Sequence, residues 1–251
     1  MIKKENLVAW AKKNLWLLIL VSYSSMSLLA ALSFGLWNTD DLEVYYQAAQ
    51  RMVSGEEIYN IAIDNDGHRH FIYKYSPTAL FLFLPFLLIP YQIAKVVYWI
   101  GLTVLIAVCL KKFFKLIIQE MPENTKIHTN IILFALLTIL IHIDTELHLG
   151  QINIWLLALY IFTIESMLSG KNGLVGLFLA ISIFIKPFGL IFIPFLILKR
   201  KYKSLVYFVL FFIMLFALPI IFYPSIDSFL ALQKAWFHEL AVELGKKQDL
   251  F

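Results

Sequence analysis

Residues 15–37 read LWLLILVSYSSMSLLAALSFGLW, 23 positions without a charge. A helix rises about 1.5 Å per residue, so this run can cross a hydrocarbon layer about 30 Å thick. A signal peptide has a shorter apolar core. Lys3, Lys4, Lys12 and Lys13 precede the run. Positive charge marks the cytoplasmic side of a span, so residues 1–14 are expected as a cytoplasmic tail. The rest of the chain repeats this signal: 61% of residues are hydrophobic, 15% are charged, and the mean hydropathy is +0.78. Ordinary soluble domains carry about a quarter charged residues. The composition therefore predicts an all-α, polytopic membrane protein. The net charge of +4 comes largely from lysines at the ends of apolar runs, which reads as topology and not as nucleic-acid binding. Cys109 is the single cysteine, so no intrachain disulfide can form.

Further runs follow outward from the first. Residues 76–110 form an apolar stretch interrupted by Pro85 and Pro90, expected as a short or broken half-span followed by Tyr91 to Leu110. Ile127 to Ile143 and Ile152 to Leu168 are read as one outward and one inward crossing. Gly173 to Leu198 holds Lys186-Pro187 at its middle, which predicts two half-length helices meeting at a break. Leu205 to Phe222 crosses last, and residues 224–251 are expected as an outer amphipathic tail. The chain reads as one transmembrane domain over 1–251, with residues 38–76 as its first outer loop.

That loop opens NTDDLEVYYQAAQRMVSGEEIY, residues 38–59. Leu42, Tyr45, Tyr46, Ala49, Met52 and Val53 recur at helical spacing and make one apolar stripe. Thr39 or Asp40 can cap this helix, Glu43 completes a capping box with Asp40, and Gly55 suits its end. The helix is expected at the membrane surface. Only one acid can be the cap. The second, Asp41, is a carboxylate at a membrane boundary that could accept a proton, or it could simply favour the helix start.

Three later stretches carry candidate chemistry. In FIYKYSPTALFLFLPF, residues 71–86, Pro77 suits a first helical turn, Tyr73 and Tyr75 suit an interface, and Lys74 either reaches water or meets a substrate. HIDTELHLGQIN, residues 142–153, alternates His142, Asp144, Glu146 and His148. Those four do not share a helix face, so a polar loop is expected in preference to a metal site. Gly150, Gln151 and Asn153 open the next helix and serve either as caps or as contacts to hydroxyls or phosphate. Lys186 sits near mid-run, where a charge costs about 2.5–3.5 kcal/mol. A cation beside a proline break suits an anionic ligand; an ion pair with another helix is the competing account.

Taken in order, Asp41, Val44, Tyr45, Ala48, Ala49, Gly55, Ile58, Tyr59, Tyr75, Pro77, Gly150, Gln151, Asn153, Lys186 and Pro187 resemble glycosyltransferase family 87. That family comprises polyprenol-phosphate-mannose-dependent α-mannosyltransferases of the GT-C type. The likeness runs from about residue 15 to 222. Ser76-Pro77 stands where many relatives have two prolines. Relatives also run further, so the resemblance implies a C-terminally short chain. It implies a GT-C-like fold and a sugar donor, typically mannose, joined through phosphate to a membrane polyprenol. A glycan or glycolipid hydroxyl would attack with inversion, with no cofactor and no metal. By resemblance Asp41 is the catalytic base. Lys186 would meet the phosphate, Gln151 and Asn153 the sugar or phosphate, and Tyr45, Tyr75 and Lys74 the rest of the pocket.

The expected location is the cell membrane, with the active site on the extracytoplasmic side. A transporter would also keep a lysine at a broken helix, but it should show pseudo-symmetric halves, and none is visible in the sequence. A non-catalytic scaffold is the third reading.

Overall fold

The computed structural model describes residues 14–34, 40–59, 61, 63–65, 69–120 and 129–248. Residues 1–13 of the expected cytoplasmic tail and Thr39 lie outside these, as does the side chain of Asp40, and with them the capping box. The fold is all-α apart from one antiparallel hairpin, β1 (Ile63–Asn65) and β2 (Arg69–Phe71), in register Ile63↔Phe71. Three helical stretches among the described residues are long and apolar enough to cross a membrane: Leu15–Ser33, Tyr91–Ile117 and Tyr202–Ile221.

The chain forms two compact units. The first comprises residues 1–39 and 96–158. It holds α1 (Leu15–Phe34), most of α3 (Tyr91–Glu120), α4 (Thr129–Leu149) and the start of α5 (Asn153–Leu168). A polar relay joins α1 to α3 inside an otherwise apolar packing. The Trp99 indole N–H donates to Ser24 Oγ at 3.0 Å, Ser24 pairs with Thr103 Oγ1 at 2.7 Å, and the Thr103 hydroxyl donates to the Trp99 carbonyl at 3.0 Å. Because the Thr103 proton is committed to that carbonyl, the Ser24 hydroxyl is the donor to Thr103.

The structure corrects the expected polar loop at 142–149, because α4 continues to Leu149. Several of its polar side chains find partners within the unit, which lowers the cost of staying helical, while Glu146 Oε2 is buried without a hydrogen-bond partner. Ser27 Oγ donates to Asp144 Oδ1 at 2.7 Å, Asn153 Nδ2 donates to Glu146 Oε1 at 2.9 Å, and His148 meets Trp99 edge-on at 4.9 Å. Gly150 then ends the helix at φ 65°. The Gln151 N–H returns to the Glu146 carbonyl at 3.0 Å, the bonding of a glycine-terminated helix. Across this turn the chain bends by 119°. Lys111, Lys112 and Lys115 lie on α3, which runs past the expected end at Leu110 to Glu120.

The second unit comprises residues 40–95 and 159–251. Its amphipathic helix is α2 (Asp40–Val53), with Gly55 at φ 70° closing it as expected. Leu42, Tyr45, Tyr46, Ala49 and Met52 of its stripe are buried. They pack on two successive 3-10 turns, Pro77–Leu82 and Leu84–Leu88, so protein, and not lipid, fills this face. Pro77 and Pro85 open those turns and Pro90 precedes α3. Lacking an N–H, proline suits the first turn of a helix and blocks its interior.

The Lys186-Pro187 break is present. Helix α6 (Asn172–Ile185) ends where Lys186 turns extended, at φ −146° and ψ 138°; a 3-10 turn Pro187–Ile191 and α7 (Phe192–Leu198) follow. Helix α8 (Tyr202–Ala217) packs along α6, and Ser204 Oγ donates to Asn172 Oδ1 at 2.9 Å. Gly176 makes this approach possible, since a Cβ there would sit 2.5 Å from the Phe208 nitrogen. The expected tail is a long helix, α9 (Ile226–Gln248), that packs on Pro77–Leu82 and on the 3-10 turn Leu218–Ile221.

Candidate functional site

The centre of the second unit is a group of tyrosines around residues 73–76. Tyr45 on α2 meets the Tyr73 ring edge-on at 6.3 Å and the Tyr75 ring at 5.7 Å, and lies against Phe83 at 4.7 Å. Hydrogen bonds hold the segment in place: the Tyr59 hydroxyl donates to the Tyr75 carbonyl at 2.8 Å and the Tyr73 hydroxyl to the Ser76 carbonyl at 2.7 Å. Burial raises Tyr59 well above the usual phenol range, and Tyr73, Tyr223 and Glu239 add to the effect. Burial does the same for Tyr73, with Tyr75 adding to it. Both phenols therefore keep the protons that these bonds require.

The same segment reaches the broken helix. The Ser76 N–H donates to the Phe184 carbonyl at 3.4 Å, one residue short of the end of α6. The ammonium of Lys186 then lies 5.7 Å from the centroid of the Tyr75 ring, within reach of a cation–π contact. Gly189 makes the tight turn after the break possible: a Cβ there would meet Ser182 Oγ at 2.5 Å.

Asp41 stands on α2 one turn before Tyr45 and is half-buried. Residues four apart share a helix face, so Asp41 and Tyr45 present on one side of α2. The Tyr75 ring thus lies against both Tyr45 and Lys186, with Asp41 on the face that carries Tyr45. Lys74 is exposed beside them. Gln151 and Asn153 belong to the first unit. There the Asn153 amide bonds both Glu146 and Gln151, and the Tyr98 hydroxyl reaches the Gln151 carbonyl at 3.4 Å. Their side chains thus join the end of α4 to the start of α5. The sequence does not reveal Glu146 as a partner for Asn153, because the two are seven residues apart and become neighbours only through the Gly150 turn.

Among the described residues, no three His, Cys, Asp or Glu side chains converge as a metal site. Glycosyltransferase family 87 matches residues 73–248. The chain belongs to that family. The glycosyltransferase thus carries its family signal over the Tyr75 segment, Lys186 and α9, and its apolar helices make it a membrane protein. A membrane-embedded glycosyltransferase points to a lipid-linked sugar donor. No curated protein and no solved structure matches this glycosyltransferase.

Proposed function

We propose that the chain transfers a hexosyl group, mannosyl in our reading, from polyprenyl phosphate to an extracytoplasmic acceptor hydroxyl, with inversion at the anomeric carbon. The observation that carries this reading is the Tyr75 ring, which lies against both Tyr45, one turn beyond Asp41, and the Lys186 ammonium. A carboxylate and a cation are the two groups such a displacement needs. The Asp41 carboxylate takes the proton of the acceptor hydroxyl as its oxygen bonds to the anomeric carbon. The bond from that carbon to the phosphate oxygen breaks, and the electron pair leaves with polyprenyl phosphate. Lys186 neutralises the charge that grows on the phosphate. The proton on Asp41 then passes to water. Gln151 and Asn153 have no step in this displacement.

The test is to give membranes that contain the protein polyprenyl-phosphate-mannose with a glycan or glycolipid acceptor. Formation of a new α-linked product supports transfer. Movement of a solute across the membrane with no new glycosidic bond would support a carrier instead.

A further inference from the structure

The sequence of helix α9 suits an outer amphipathic tail, yet the helix carries polar groups into the interior of the second unit. Gln233 is 4% exposed, and both polar atoms of its amide are buried without a hydrogen-bond partner. The indole N–H of Trp236, three residues on, is also buried and unpartnered. Three residues further, Glu239 is 5% exposed. At this spacing the three side chains follow one strip of the helix.

The strip runs beside the centre described above. The Trp236 ring lies 6.3 Å from Phe184, whose carbonyl receives the Ser76 N–H and which precedes Lys186 by two residues. Glu239 bears electrostatically on Tyr59, whose hydroxyl holds the Tyr75 carbonyl. A buried amide with neither atom bonded is rare and unfavourable, and an apolar residue of the same size would remove the penalty. Such a group is understandable where a ligand completes its bonds. The ligand must offer donors and acceptors together, since an amide needs both, an indole only donates and a carboxylate only accepts. It must also have an apolar face for the Trp236 ring. A sugar ring has this chemistry. A phosphate does not, because it offers no donor to Glu239 and is repelled by its charge.

We propose that Gln233, Trp236 and Glu239 form the sugar-recognising wall of the site, opposite in chemistry to the phosphate-binding Lys186. This rests on the reading of Lys186 given above. The wall holds hydroxyls of either the donor or the acceptor sugar, and the experiment separates the two.

The full chain in detergent is tested for binding of short-chain polyprenyl-phosphate-mannose and of the same polyprenyl phosphate without sugar. The acceptor KM is measured alongside. Gln233→Leu and Trp236→Phe remove the polar atoms while keeping most of the packing. The expected result is about tenfold weaker binding of the mannose-bearing lipid, unchanged binding of the bare phosphate, and a thermal midpoint equal to or above wild type. A tenfold rise in the acceptor KM with donor binding unchanged supports the wall as well, and assigns it to the acceptor sugar. Equal weakening of both lipids, or no change in either lipid or acceptor, overturns the proposal. Wild type that ignores both lipids overturns the phosphate reading of Lys186 and the wall together, whereas wild type that binds both while the variants match it overturns the wall alone.

Discussion

Lys186 places its ammonium 5.7 Å from the centroid of the Tyr75 ring, so the cation at the helix break faces the aromatic segment that also meets α2. The face of Tyr75 matters to this contact more than its hydroxyl, because the ring quadrupole attracts the charge. Tyr75→Phe should therefore keep transfer within about twofold, while Tyr75→Ala should lower kcat/KM by about 2- to 30-fold, as expected for about 0.5–2 kcal/mol. Steady-state kinetics on both variants checks this. Equal losses would mean that the hydroxyl is the working part.

Helices α6 and α8 approach through Gly176. An added Cβ would meet the Phe208 nitrogen at 2.5 Å and the Tyr207 carbonyl carbon at 2.6 Å, both backbone atoms. The helices would have to part, so Gly176→Ala should cost about 1–3 kcal/mol. Gly173→Ala is the control, since nothing lies within 4 Å of its Cβ position. Thermal unfolding in detergent should separate them, with only the Gly176 variant melting early.

In the first unit, Ser24→Ala leaves the buried Trp99 indole N–H without its acceptor. An orphaned buried donor costs about 1–3 kcal/mol. The thermal midpoint should fall and the tryptophan fluorescence should shift, while Ser24→Thr should retain much of the relay. An unchanged midpoint in Ser24→Ala would show that another acceptor replaces Ser24.

Alkaline stability follows from the tyrosines. Burial pushes Tyr223 up to about 12, with Glu56 adding to it, and its hydroxyl donates to the Glu56 carbonyl at 2.6 Å. Tyr59 and Tyr73 are raised as well. A phenol with a raised folded value keeps its proton longer in the folded state, so its stabilisation is full below about pH 10, the ordinary phenol value. That stabilisation is lost as the pH climbs toward 12. Unfolding followed between pH 8 and 12 should show the loss, and Tyr223→Phe should make the decline shallower. A flat profile would contradict the burial of these phenols.

Much of the fold was legible because it rests on covalent geometry. Pro85, Pro90 and Pro187 cannot donate a backbone hydrogen bond, so their breaks show in the sequence itself. The helix at 40–53 was legible from its apolar period. What covers that stripe was not, since periodicity reports an apolar face without naming its partner. The end of α4 was misread for a related reason. Asp144 and Glu146 look like loop residues until Ser27, 117 positions from Asp144, and Asn153 each supply one of them a hydrogen bond. Lys186 stood out by its charge inside an apolar run, whereas Gln233, Trp236 and Glu239 fit an amphipathic surface pattern that hid their burial.

The most direct measurement compares wild type with Asp41→Asn, at equal expression, for hexosyl transfer from polyprenyl-phosphate-mannose and for binding of that donor. A proton-accepting Asp41 predicts transfer lowered by about 100-fold or more with donor binding unchanged, since general-base contributions are about 10²–10⁴-fold. Transfer within a few fold of wild type in Asp41→Asn would contradict the account.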